Sequence, residues 1–305
     1  MATTETISSN YAGEAAQRFF SAVLKSPTTI ANGGVEVQDG IRFKWNIPRV
    51  NLTDIISNDS CDFVDSGTVT RNERVLEVEA FKVNMQLCKS KYRPTFDPMG
   101  ASYWSGLAPN FASHLVGLVG ANVAQSRENT IWAGAAATAG EFDGFEVLFT
   151  NEPLQPAAYE IAGTTITAAN VVAELEKIVD AASSALYSSD GFAIRIPTSV
   201  YKFYVQAQSA LGAYDAFNER RAGMSFQGIP LIHCAGMSDD VMFATYSNNL
   251  YYGIGEAGDA QRVDLLDQQP LDGSDNVNVV MKWADGIQVA NPEDVITYGI
   301  TNTGN

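Results

Sequence analysis

The chain has 305 residues, 46% hydrophobic and 18% charged, enough to bury a large core in one domain or two lobes without disulfide or metal staples. Its net charge of −16 is uneven: residues 1–100 hold 11 Lys/Arg and 12 Asp/Glu, whereas residues 101–305 hold 8 and 23. That excludes a dedicated nucleic-acid-binding module, which needs a clustered basic face, and no run approaches the roughly 18 apolar residues that would cross a bilayer.

The N-terminal run MATTETISSNYAGEAAQ has neither a basic start nor an apolar core, so neither a secretory signal nor a transit peptide is expected. Residues 1–40 are polar and turn-rich, with one short helical pattern from Ala12 to Leu24. They form an arm that buries little of itself and is suited to lie on a neighbouring copy. Cys61, Cys88 and Cys234 are odd in number, far apart and without metal-ligand spacing, which points to a reducing compartment and to small buried hydrophobes. His114 and His233, the only histidines, both fall in apolar runs and are expected to pack instead of acting as bases or ligands.

From Ile41 to Ile47 apolar residues (Ile41, Phe43, Trp45, Ile47) alternate with Arg42, Lys44 and Asn46, a strand pattern with one wet face that Pro48 is expected to end. After an Asn/Asp/Ser-rich connection, Arg49 to Thr70, the chain returns through Leu76, Val78 and Ala80, then Phe81, Val83, Met85 and Leu87. The parity change between Ala80 and Phe81 predicts a bend or bulge in a long two-stranded ribbon. Arg42, Lys44, Arg71, Arg74, Glu77, Glu79 and Lys82 put both charge signs on its polar faces. They are the candidate assembly-interface residues, suited to an acidic neighbouring copy.

A breaker zone from Arg93-Pro94 to Gly100 precedes a slim helix beginning at Pro109, about 20 residues and 30 Å long, with Phe111, Leu115, Leu118 and Val119 on one face and glycines at 117 and 120. A strand is expected over Phe145 to Thr150. There follow a helix capped by Thr167 with Val171, Leu175, Ile178 and Ala182 inward, a strand from Phe192 to Ile196, and a helix opened by Pro197 with Val200, Phe203, Tyr204, Ala207 and Leu211 inward. From Phe226 onward the sequence is mostly β.

Catalytic signals are weak. The close carboxylates are Asp239-Asp240 and Asp143 with Glu146, and there is no nucleophile elbow, His-Glu-x-x-His or phosphate loop, so neither catalytic residues, cofactor nor metal are expected.

The order of arm, long hairpin, slender helix ending near Glu128-Asn129-Thr130-Ile131-Trp132, and two helices around Phe192 to Ile196 resembles the major capsid protein of tailed double-stranded DNA bacteriophages, the Hong Kong 97 fold. Gly228-Ile229-Pro230 and Asn249-Leu250-Tyr251-Tyr252-Gly253-Ile254 are similar to that family's closing pattern, so the likeness covers about residues 10–300. It implies an α+β chain with an N-arm (1–40), an extended E-loop hairpin (41–100), a peripheral domain with a long spine helix (101–155, plus returning strands 260–300) and an α/β axial domain (156–259). It further implies self-assembly into hexamers and pentamers of an icosahedral head enclosing double-stranded DNA without sequence-specific binding. Portal, scaffold and decoration proteins would be partners, the chain would reside in the virion capsid after assembly in the host bacterial cytoplasm, and it would not be an enzyme. An encapsulin-type nanocompartment shell shares the fold and is the alternative; an enzyme of unknown class is a more distant one.

Overall fold

The computed structural model describes residues 28–59, 61, 66–91, 109–151, 155–210, 224–256 and 262–300. The helical pattern expected at 12–24, the breaker zone at 93–100 and Leu211 lie outside them. Strands are numbered in chain order: β1 Glu36–Gln38, β2 Lys44–Thr53, β3 Thr68–Glu77, β4 Glu79–Cys88, β5 Glu160–Ile161, β6 Ala193–Ile196, β7 Ser225–Phe226, β8 Ile229–His233, β9 Met242–Thr245, β10 Leu250–Ile254, β11 Val263–Asp267, β12 Asn276–Val289 and β13 Ile296–Tyr298.

They form three sheets. The six-stranded sheet, in the order β5-β13-β9-β6-β8-β7, is covered on both faces. Alternation explains how: on β9, Met242 and Ala244 point into a core with the helices Val171–Ala181 and Thr198–Ala210, whereas Phe243 points into a second core with Trp132, Phe145 and Phe149. All four residues of β6 are buried for the same reason. The buried guanidinium of Arg195 donates to the carbonyls of Gly34, Ala193 and Thr245 at 3.0, 3.2 and 2.7 Å. Its companion Cys234 is likewise buried, and burial pushes its thiol up to about 12.

The five-stranded sheet is organised by β12, whose 14 residues pair with β4 along 276–285 and with β11 and β10 in its two halves; β1 adds to β10 in parallel. The long helix Pro109–Ala133 crosses this sheet and seats Leu115, Val119 and Val123, one turn apart, against Leu87, Val279 and Met281. At 25 residues it is about 37 Å long, longer than the expected rod. Farther along, Arg127 Nε donates to Asp285 Oδ2 at 2.9 Å, and Tyr252 donates to the same oxygen at 2.8 Å. Burial raises the Asp285 carboxyl, against the lowering pull of Arg127.

Several expectations need correction. Phe145 to Thr150 is not a strand but part of the helix Phe145–Asn151. Phe-Glu-Val-Leu-Phe satisfies both periods, and the i, i+4 pair Phe145/Phe149 wins because Trp132 and Phe243 offer rings at 5.3 and 5.8 Å. Thr167 is not the cap: Asn170 is, and its Oδ1 accepts the Thr167 amide at 2.6 Å in a turn that delays the helix to Val171. Pro48 does not end β2. The strand runs on to Thr53 because β2 is an edge strand, where a missing N–H faces away from its partner.

The ribbon is also shorter than expected. Only β2 and β3 form it, a two-stranded sheet with Lys44 opposite Glu77 and Thr53 opposite Thr68. The change of direction falls at Val78, two residues earlier than the parity suggested; beyond it β4 joins β12 in the body. At that crossing β12 needs Gly286, because a Cβ there would overlap the Glu77 carbonyl oxygen.

Candidate assembly interface

Cross-strand partners share a face, so the ten paired positions of β2 and β3 sort the ribbon into two faces. One carries Trp45 and Leu76, then Ile47 and Arg74, then Arg49 and Asn72. Its inner half is docked on the chain's own body. Ile47 and Leu76 are buried, and Leu76 packs with Ile41 and Val78. Trp45 meets Tyr251 edge to face at 5.3 Å. Arg74 donates twice to Gln288 Oε1, at 3.1 and 3.0 Å, and Arg49 forks onto Glu293 at 3.2 and 2.6 Å. That fork holds the Glu293 carboxyl below its usual range.

The other face looks away from the body. Alongside Lys44, Asn46, Arg71, Glu73 and Glu77 it carries Val75, Pro48, Val50, Leu52 and Val69, all exposed. Val50 is 61% exposed, Leu52 53% and Val69 68%, and in the connecting loop Ile55 is 55% and Ile56 92% exposed. With Phe43 and Val75, these make up seven of the twelve large hydrophobic residues that are exposed among those described. Exposed apolar side chains gathered on a two-stranded ribbon are what a chain presents to a partner, since such a ribbon is marginal alone in water.

This apolar stripe, interleaved with charge, was encoded but overlooked. Apolar positions are odd from Ile41 to Ile47 and even at Val50 and Leu52, a switch of face across Pro48, and β3 mirrors it with Val69 and Val75 against Leu76.

The seven predicted interface residues do not form one patch. Lys44 and Glu77 pair across the ribbon at 3.0 Å, each about half exposed, worth about 0–1 kcal/mol. Arg71 is exposed opposite Val50, while Arg74 is turned inward to Gln288. Arg42 precedes β2. Glu79 and Lys82 lie beyond the ribbon on β4, exposed and opposite Asp285 and Lys282.

The expected arm is likewise tied down over the part described. Glu128, buried on the long helix, accepts from the Thr29 amide at 3.1 Å, Thr29 Oγ1 at 2.7 Å and the Gly236 amide at 3.3 Å. Trp132 Nε1 donates to Thr29 Oγ1 at 2.7 Å, and Asn32 to the His233 carbonyl at 2.8 Å. With β1 on β10, residues 28–38 belong to their own body.

Carboxylates singled out for catalysis serve the backbone. Glu146 accepts from the Ser238 amide and hydroxyl at 2.8 and 2.5 Å, and burial raises its carboxyl despite those bonds. Asp143 accepts the Ala136 amide, and Asp240 the Ile166 amide. His233 bonds Thr198 at 2.9 Å and stacks near Tyr201; His114 is half-buried on the long helix. Of the cysteines, Cys234 alone is buried; Cys61, in the connecting loop of the ribbon, is exposed, which corrects the expectation for it. Among the described residues no group of His, Cys, Asp and Glu has the makings of a metal site, and no helix is long and apolar enough to cross a membrane.

Neither a family model nor a curated protein sequence matches this chain. Solved structures do. The capsid of a native GTA particle superposes with a TM-score of 0.60 at 10% identity, over 96% of this chain and 93% of that one. A structure of Mycobacterium phage Bobi gives 0.61 at 13% identity over 95% and 94%. The capsid of Myoviridae phage XM1 gives 0.58 at 13% over 97% and 96%. Likeness along nearly the whole of both chains at such low identity is a likeness of fold, and the chain has the α+β capsid fold that its resemblance to Hong Kong 97-type proteins implied.

Proposed function

We propose that this chain is a major capsid protein whose copies assemble into hexamers and pentamers and close an icosahedral shell around double-stranded DNA. The observation that carries it is the ribbon. Its root is buried in its own subunit, while its outer apolar stripe finds no cover within the described chain. On a capsid fold, that stripe is surface reserved for another copy. The solved capsids speak for a virion location, a structural role in place of catalysis, and a phage-type head over a cellular nanocompartment. Assembly in the host cytoplasm, with portal, scaffold and decoration proteins as partners, belongs to the same proposal. The acidic balance suits it, because a wall of net charge −16 does not hold its cargo. Within it, residues 28–40 root the arm, the E-loop shortens to the β2–β3 ribbon, and the interface candidates are Lys44, Arg71, Arg74 and Glu77 on that ribbon with Arg42, Glu79 and Lys82 beside its root.

Negative-stain microscopy of the purified chain tests this. Uniform shells or capsomer rings are expected; a monodisperse monomer at every salt concentration overturns it. Deleting Asn51 to Asp65 is expected to leave a folded subunit that cannot close particles, and normal particles from that deletion would show that the ribbon is no clamp.

A further inference from the structure

The long helix covers one face of the five-stranded sheet, where it meets Val83, Met85, Leu87, Val279, Met281 and Trp283. Residues between these point to the opposite face. There the register of β4 on β12 sets Lys82 directly opposite Lys282, and like charges so placed destabilise a sheet unless something answers them. Two positions along, Ala80 and Ala284 are at the corresponding places, and their short side chains leave room. Here lies a groove of about 730 Å3, within the roughly 300–1,000 Å3 of small-ligand clefts, and Arg42 lines it together with the two lysines. All three cations are exposed, and none forms an ion pair with a described residue. Glu256 is the lone carboxylate lining the groove. Three cations against one carboxylate leave an unanswered positive charge in a chain whose net charge is −16.

The arrangement narrows the class of anion that would answer it. Cross-strand Cβ atoms stand about 5 Å apart, so two ammonium groups can reach one ligand, and Arg42 adds a planar fork of donors. A carboxylate offers two oxygens and a single charge, which one fork already satisfies. A phosphate chain carries several charges on many oxygens and can accept from all three cations at once. Length matters as well. A long polyanion laid across the groove presses its remaining charges on an acidic surface, whereas a compact one places them only where the cations are.

We infer that the groove of Arg42, Lys82 and Lys282 is a binding site for a compact, multiply charged phosphate anion of the class of inorganic tripolyphosphate. The site goes beyond the shell reading and does not rest on it. Its favourable term is Coulombic, and raised salt weakens it.

Calorimetric titration of the full chain at low salt, with tripolyphosphate as the probe, tests this. Saturable binding is expected, fading as salt is added. Lys82→Gln with Lys282→Gln should weaken it at least about tenfold. That variant also loses a like-charge pair, so without the probe it should melt no lower than the wild type. Lys202→Gln with Arg71→Gln removes the same charge from exposed positions outside the groove and should leave binding unchanged. A short polyglutamate peptide and a short DNA duplex should each bind at least about tenfold more weakly than tripolyphosphate. No saturable binding, equal losses from the two double variants, or a peptide or duplex that binds as tightly as tripolyphosphate overturns the site. Whether the chain closes shells is read separately, by microscopy, so either inference can fail without the other.

Discussion

Replacing Leu52 and Val69 together by threonine separates the fold of the subunit from its assembly. The two side chains face each other on the outward face of the ribbon, one pair in from Thr53 opposite Thr68. A Thr–Thr pair therefore continues an arrangement the ribbon already has, and strand propensity is kept. With just over half to two thirds of each side chain open to water, the monomer has little to lose, and its stability should change by less than about 0.5 kcal/mol. Assembly has more to lose. Burying the remaining exposed part of a Leu or Val against a partner contributes about 1–2 kcal/mol, so the double change removes about 2–4 kcal/mol per copy. At 1.4 kcal/mol per factor of ten, the concentration needed for assembly rises roughly 30- to 700-fold. Light scattering against protein concentration measures that threshold, and thermal unfolding of the dilute subunit measures the fold. Assembly at the wild-type threshold would refute the stripe as an interface, and a collapsed melting temperature would show that the stripe supports its own subunit after all.

Other perturbations address the parts that hold the ribbon and arm in place. Glu128→Ala leaves the Thr29 and Gly236 amides buried without their acceptor, at about 2–5 kcal/mol, and should expose residues 28–38 to limited proteolysis; Glu128→Gln, which keeps a carbonyl acceptor, should cost less. Gly286→Ala forces a methyl onto the Glu77 carbonyl and should cost about 1–3 kcal/mol in chemical unfolding. Glu146 sets a pH dependence. Its carboxyl lies above the ordinary 4.5 because burial disfavours the charge, so the folded state holds more protons than the unfolded chain just above that pH. Its contribution to stability therefore falls as pH climbs from 4.5 through the raised value. Denaturant midpoints of Glu146→Gln minus wild type should rise over that window, and parallel pH profiles would rule the effect out.

Much of the body was legible in the sequence because its signals are local. The helices Val171–Ala181 and Thr198–Ala210 and the strand β6 follow from periodicity and from turn residues such as Gly191, whose φ of 71° suits the turn into β6. Phe145–Asn151 was not legible, since five residues with both periods are decided by which aromatic rings wait across the core. The ribbon was read as a hairpin but misassigned in partner. Nothing near Val78 tells whether β4 pairs with β2 or with β12, some 200 residues away, because strand partners are chosen by long-range packing and not by propensity. The facing of Lys82 and Lys282 was invisible for the same reason: each looks like an ordinary wet lysine until the register of β4 on β12 sets them side by side.

One residue, Val78, separates two registers, with β3 belonging to the ribbon and β4 to the body. That makes the ribbon a lever on a very short fulcrum. A tilt of about 10° there sweeps the outer end, about 30 Å away, through about 5 Å, one strand spacing, without disturbing a hydrogen bond between β4 and β12. What resists the sweep is the buried packing of Ile47 and Leu76 at the root, together with the tethers of Arg49 on Glu293 and Arg74 on Gln288. Copies placed on surfaces of unequal curvature can thus differ in the angle of one arm and keep a single, unaltered trunk.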